Sequence, residues 1–273
     1  MKKFKKLVTV LLFAIFSVAL FGGCGKTEKA TQANDSQGKA EDKSWQKVKD
    51  KGELVVGLCA EYAPFESKNE KTNEIEGFDV DMAKAIGKEL GVKVKIVDAQ
   101  WEALLGGIEK GDYDVVISCM SKKESAAGNV NMSDVYYKLN EVLVVGKDNI
   151  SIKNADDLKD KIVGVQTQTS SEQVVEKIKG IKEIKRYNRT PEALIDLNNK
   201  RIDAVVVGYA YAVTQLKGSS DLKILETPVE SNDIVMVMKK GNDSLTKKMN
   251  EGLAQIKQNG KYDEAINKWL NLK

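Results

Sequence analysis

Short apolar runs alternate along this chain with apolar positions at helical spacing. Leu54, Val55, Val56, Gly57 and Leu58 form a run closed by turn chemistry at Ala63-Pro64, and predict a strand. Behind Gly77-Phe78-Asp79, apolar residues recur at Val80, Ala83, Ile86 and Leu90, the stripe of a helix that Asp79 is placed to cap and Gly91 to end. Residues 92–97 alternate as a strand. Trp101, Leu104, Leu105 and Ile108 give the stripe of a second helix that stops at Gly111, and residues 113–117 predict a third strand. The order β-α-β-α-β implies a parallel sheet with right-handed crossovers and ligand groups at the carboxyl ends of its strands.

The same grammar recurs. Residues 161–165 predict a strand, and Thr169-Ser170-Ser171-Glu172 predicts a capping box opening a helix through Val174, Val175 and Ile178. Thr190-Pro191 predicts an N-cap and first helical position, ahead of Ala193, Leu194 and Leu197, and residues 202–207 close the second set. Extended apolar runs at 141–145 and 233–238 predict two strands that cross between lobes. Leu245, Met249, Leu253 and Ile256, then Tyr262, Ala265, Ile266 and Trp269, predict helices that return to the first lobe. The expected fold is α/β: a two-lobed hinged clamp with parallel-type sheets, lobe 1 being 44–138 plus 235–273 and lobe 2 being 139–234.

The first residues follow another logic. Lys2, Lys3, Lys5 and Lys6 precede an apolar run over 7–21, the layout of a secretory signal and too short for a membrane span. Residues 24–43 contain no large apolar side chain and predict a flexible tether. The chain of 273 residues carries 43 basic and 40 acidic groups, but setting those four lysines aside leaves 39 against 40. No nucleic-acid footprint is therefore expected. With no histidine in the chain, His-ligated metal sites and imidazole bases are excluded.

Phe21-Gly22-Gly23-Cys24 resembles a bacterial lipobox, which implies cleavage of 1–23, lipidation of Cys24 and attachment to the outer face of the cell membrane. Tyr62-Ala63-Pro64-Phe65, Gly77-Phe78-Asp79-Val80-Asp81, Lys110-Gly111-Asp112-Tyr113-Asp114, Asp157-Leu158, Gly164-Val165-Gln166 and Arg201-Ile202-Asp203-Ala204, in this order, resemble the extracellular solute-binding proteins of polar amino acid ABC importers. The resemblance covers residues 54–270. It implies a periplasmic-binding-protein-like clamp of type II that captures a small polar solute and delivers it to a membrane permease. No Walker motif is present, so the ATPase is expected to be a separate subunit. A monomer without enzymatic activity, cofactor or metal is expected.

Against that family the amino-acid clamp departs at three places. The family's usual Ser-x-Ser-x-Thr-x-x-Arg stretch reads here Ser118-Cys119-Met120-Ser121-Lys122-Lys123-Glu124-Ser125-Ala126, so the arginine that forks onto the ligand's α-carboxylate is Ala126. The aspartate that holds the α-ammonium is Gly208, and an aspartate common at the end of the first strand is Cys59. The three arginines, Arg186, Arg189 and Arg201, all fall in the second lobe. A free α-amino acid is therefore not expected to be held in the usual way; an amine, an amino-acid derivative or a neutral polar metabolite is.

The resemblance places Cys59, Glu61, Tyr62, Trp101, Ser118, Cys119, Met120, Ser121, Gln168, Thr169, Ser170, Gly208 and Tyr209 at the cleft. Tyr62, Trp101 and Tyr209 offer rings for a planar or cationic group. Trp101 also fits a helix core, and Glu61 is either a counter-ion or a solvated acid. Gln168, in the place of a family glycine, offers an amide to fill the room left by the missing clamp. Ser170 is the better ligand candidate of its turn, because Thr169 already reads as a helix cap. With Cys24 lipidated, Cys59 and Cys119 are left as a possible disulfide, or as buried small residues. Two rival readings are a cyclohexadienyl-dehydratase-like enzyme, whose dianionic substrate calls for cationic groups, and a surface sensory or adhesive lipoprotein.

Overall fold

The computed structural model describes residues 42–271. The signal segment, most of the tether and Cys24 lie outside the described residues. Helix α1 (Ser44–Lys51) leads into β1 (Glu53–Leu58), three short strands β2 (Glu61–Tyr62), β3 (Glu66–Lys68) and β4 (Ile75–Glu76), helix α2 (Phe78–Glu89) and β5 (Lys93–Asp98). A single 3-10 turn (Trp101–Ala103) starts α3 (Leu104–Lys110), followed by β6 (Val115–Val116), α4 (Lys122–Ser125) and the long strand β7 (Val130–Gly146). Then come β8 (Ile162–Gln166), α5 (Ser170–Val175), β9 (Glu183–Tyr187), α6 (Thr190–Asn198), β10 (Ala204–Gly208), α7 (Tyr209–Gln215), the long strand β11 (Leu222–Lys239), α8 (Asp243–Gln258) and α9 (Lys261–Trp269).

Eight strands form one sheet in the order β5-β1-β6-β11-β7-β10-β8-β9, while β2, β3 and β4 make a small antiparallel sheet. β1 runs parallel to β5 and β6, and β8 runs parallel to β9 and β10. Between these triplets β7 and β11 pair antiparallel with each other along most of their length, with a register break between Leu225 and Glu230. These are the two crossing strands, and they make the molecule a two-lobed α/β clamp of type II.

They are far longer than their apolar runs. Outside 141–145 single buried residues of β7 are separated by half-buried and exposed ones, so the sequence there carries no continuous apolar signal although the ladder continues. β9, at the sheet edge with exposed and half-buried residues, is absent from the predicted pattern for the same reason.

Apolar layers cover the sheet in each lobe. In the first lobe, Leu245, Met249, Leu253 and Ile256 of α8 join Met82 and Ile86 of α2, so the C-terminal helices do return there. Two capping expectations change. The N-cap of α2 is Gly77, and Asp79 is fully buried and caps nothing. Thr169 does cap α5, accepting from the Glu172 amide, but Glu172 turns back to the Gln168 N–H, so the box is not reciprocal. No helix among the described residues is long and apolar enough to cross a membrane.

Candidate functional site

The carboxyl ends of β1 and β6 face those of β8 and β10 across a cavity of about 50 Å³. From the first lobe it is walled by Cys59, Glu61, Tyr62, Glu66, Trp101, Ser118, Cys119 and Glu124. From β7 come Leu139 and Glu141, and from the second lobe Gln166, Thr169, Ser170, Ser171, Thr190, Pro191, Val206 and Val207. Eight of the sequence-predicted site residues therefore meet here: Cys59, Glu61, Tyr62, Trp101, Ser118, Cys119, Thr169 and Ser170.

The others stand elsewhere. Met120 is 1% exposed and packs beneath the site with Leu104 and Ile108. Ser121 is buried as the N-cap of α4, in a reciprocal capping box with Glu124. Gln168 contributes backbone and not its amide: at φ 59° it keeps the left-handed conformation that glycine adopts without cost, and its carbonyl accepts the Trp101 Nε1–H at 3.2 Å. Tyr209 is 40% exposed at the start of α7, and the ring that turns inward is Tyr211, two residues on. Gly208 lies behind the wall, its N–H donating to the Tyr62 hydroxyl at 3.2 Å.

Cys59 and Cys119 are both free and buried. The register that pairs Gly57 with Val116, carried two residues further, sets Cys59 opposite Ser118, whose Oγ accepts the Cys59 N–H at 3.0 Å. Cys119 is one position on and packs in the cluster of Phe65, Phe78 and Tyr136, whereas Cys59 packs with Leu104 and Met120. Both lie past their strand ends, with Cys119 at φ 46°, and the two thiols sit in separate apolar clusters, unbridged. Burial pushes the Cys59 thiol up to about 12 and Cys119 well above the thiol range, so neither is a thiolate. No metal-binding group of carboxylates and thiols occurs among the described residues.

The carboxylates are what the sequence reading passed over. Glu66, Glu124 and Glu141 line the cavity and are 1%, 6% and 1% exposed. Glu141 accepts from Ser170 Oγ at 2.8 Å, Ser171 Oγ at 2.7 Å and Asn232 Nδ2 at 3.2 Å. Glu124 accepts the Ser121 N–H and, from the second lobe, the Ser170 N–H, each at 2.5 Å. Burial holds both carboxyls above their ordinary values, and these donors offset only part of that shift. Glu61 is no spare counter-ion, because Arg189 of the second lobe pairs with it at 2.6 Å.

Glu66 accepts from Ser118 Oγ at 2.9 Å, and Asp79 behind it accepts from the Cys119 N–H at 2.6 Å and the Tyr136 hydroxyl at 2.9 Å. Glu66 Oε2 and Asp79 Oδ1 are buried with no protein donor, so the pair retains a proton between them. Burial is the main cause, raising Asp79 to about 7 and Glu66 well above the carboxylate range, where the Asp79 charge adds to the effect. In the unfolded chain both ionise near pH 4. Above that pH the unfolded chain binds fewer protons than the folded one, so this pair makes stability fall as pH rises from about 4 to 7. Asp79→Asn, whose amide supplies a donor to Glu66, is expected to flatten that decline in melting temperature; a slope equal to the parent's would contradict the shared proton.

The sequence profile of the bacterial extracellular solute-binding proteins, family 3, matches residues 54–272. The ABC transporter glutamine-binding protein GlnH of Bacillus subtilis is 28% identical over 271 residues, covering 97% of each chain. Among solved structures, a mutant of ArgBP from T. maritima superposes with a TM-score of 0.76 at 36% identity, over 83% of this chain and 99% of that one. The ancestral amino acid-binding protein AncCDT-1, described as a precursor of cyclohexadienyl dehydratase, gives 0.75 at 32% identity, over 82% and 98%.

Proposed function

The chain belongs to the family 3 bacterial extracellular solute-binding proteins, and from that premise we propose that it is the capture subunit of an ABC importer whose solute is amino-acid-like but not a free α-amino acid. The cleft closes on the solute, and the closed clamp hands it to the permease, with a separate ATPase supplying the energy. Cys24 is the lipid anchor and residues 24–43 the tether that hold this clamp, a monomer, at the outer face of the membrane.

One observation carries the reading: the protein's own side chains fill both slots that would grip an amino acid. The Tyr62 hydroxyl lies against Gly208, where a Cβ would stand 2.5 Å from it, so an aspartate does not fit there. At the other slot Ala126 offers no guanidinium, and the Glu124 carboxylate takes the Ser170 N–H. A ligand carboxylate entering there would meet a second buried carboxyl group that already holds the Ser170 and Ser121 N–H donors, and would be left without partners. The same carboxylates speak against a dehydratase acting on a dianionic acid, since no Lys or Arg lines the cavity; the chain acts as a binder and not as an enzyme.

Calorimetric titration with the standard amino acids tests this. No saturable binding in the micromolar range is expected for any of them, and micromolar binding of several would contradict the proposal.

A further inference from the structure

Hydrogen-bond donors and acceptors at the cavity wall are out of balance. Each lining hydroxyl of serine or threonine already gives its one proton to the protein. Ser118 donates to Glu66, Ser170 and Ser171 donate to Glu141, Thr169 donates to the Gln166 carbonyl and Thr190 to the Gln166 side chain. None of them has a proton left for a ligand anion or carbonyl. The acceptors are in surplus: an ionised carboxylate has room for about four donors, whereas Glu141 receives three and Glu124 two.

Charge leans the same way. Lys123 is the cation whose field reaches Glu141, but it does not line the cavity and is paired with Glu230. A solute that supplies both N–H donors and positive charge completes this wall, and one that supplies neither leaves buried acceptors unmet.

Size and shape narrow the class. The cavity is small, about 50 Å³, which favours a compact solute. One face of the Tyr62 ring is covered by Tyr211, stacked at 4.5 Å, and the Trp101 indole N–H is held by Gln168, so the rings do not form an open box around a quaternary cation. We propose that the solute is a compact primary ammonium without a carboxylate, held through its N–H groups by Glu124 and Glu141. This rests on the reading of the chain as a capture subunit and names its substrate class.

The test is titration of the full chain with two matched pairs, ethanolamine against serine and ethylamine against alanine, which differ by the carboxylate alone. Each amine is expected to bind at least tenfold more tightly than its amino acid, and tetramethylammonium, which has no N–H, is expected to show no saturable binding. Glu141→Gln and Glu124→Gln are each expected to weaken ethanolamine at least tenfold, with melting curves confirming that the variants fold. An amino acid that matches its amine, tetramethylammonium that matches ethanolamine, or parent-like amine affinity in both variants would overturn the assignment. So would the absence of any amine binding up to millimolar concentration. In that case a neutral solute released from denatured protein would leave the capture reading standing, and turnover of a dianionic acid with no solute bound would remove it.

Discussion

Gly208→Ala is expected to weaken solute capture by roughly tenfold to a hundredfold, with a smaller loss in the melting temperature of the solute-free protein. Alanine suits the backbone here, at φ −60° and ψ 135°. The penalty arises against Tyr62 across the cleft and against Leu139 on the paired strand β7. A Cβ would stand 2.5 Å from the Tyr62 hydroxyl and 2.8 Å from Leu139 Cδ2, and Leu139 packs with the core of the first lobe. Tyr62 has little freedom to yield, because its ring is stacked on Tyr211 at 4.5 Å and 9° and lies 6.1 Å from Phe65. Overpacking by one methyl costs about 1–3 kcal/mol, and about 1.4 kcal/mol is a factor of ten in binding. Calorimetry with the co-purifying solute, beside a melt of the solute-free protein, separates closure from folding. Unchanged affinity would mean that Tyr62 does not approach Gly208 when solute is held.

Gly77→Ala is expected to act on folding instead, lowering the melting temperature by roughly 10 °C. Gly77 sits at φ 139° and ψ 178°, a region that is essentially glycine's alone. A Cβ would overlap the Phe65 carbonyl, standing 2.5 Å from its carbon and 2.9 Å from Glu66 Cα. These are backbone atoms of the segment that docks the start of α2, where Phe78 N–H donates to the Pro64 carbonyl and Asp79 N–H to the Phe65 carbonyl. Strain of about 1–3 kcal/mol plus the overlap gives about 3 kcal/mol or more, and each kcal/mol shifts a chain of this size by about 2–4 °C. The same shift of backbone would part Glu66 from Asp79 at the cavity floor. A melt displaced by less than about 3 °C would show that the segment yields freely.

Much of the fold was legible because helical spacing and buried runs report local burial. The stripes of α2, α8 and α9 and the runs of β1 and β10 are clear cases, and their order implied two parallel triplets. The crossing strands were legible only where both faces are buried, and β9 and α7 gave no comparable signal. At the site, the sequence pointed to Cys59, Tyr62, Ser118, Cys119 and Ser170, which the fold brings to the wall of one cavity. Tyr209 and Tyr211 could not be told apart without the phase of a seven-residue helix.

The three glutamates were missed for separate reasons. Glu66 opens the polar stretch 66–74, where no apolar periodicity marks one acid as buried. Glu124 is the fourth residue of Ser121-Lys122-Lys123-Glu124, a capping-box pattern that was read for its missing arginine and not for the acid it holds. Glu141 had a visible signal: an acid at the head of the fully buried run 142–145 must meet donors or a cation. What no sequence shows is that the neighbouring hydroxyl protons are already committed, since that depends on which lone pairs face one another across the closed cleft.

The central claim is that the cleft holds a small cation without a carboxylate, and native mass spectrometry of the protein as isolated tests it most directly. One bound solute is expected, released on denaturation and identified as a compact primary amine with no acid group. A free α-amino acid in that position would contradict it.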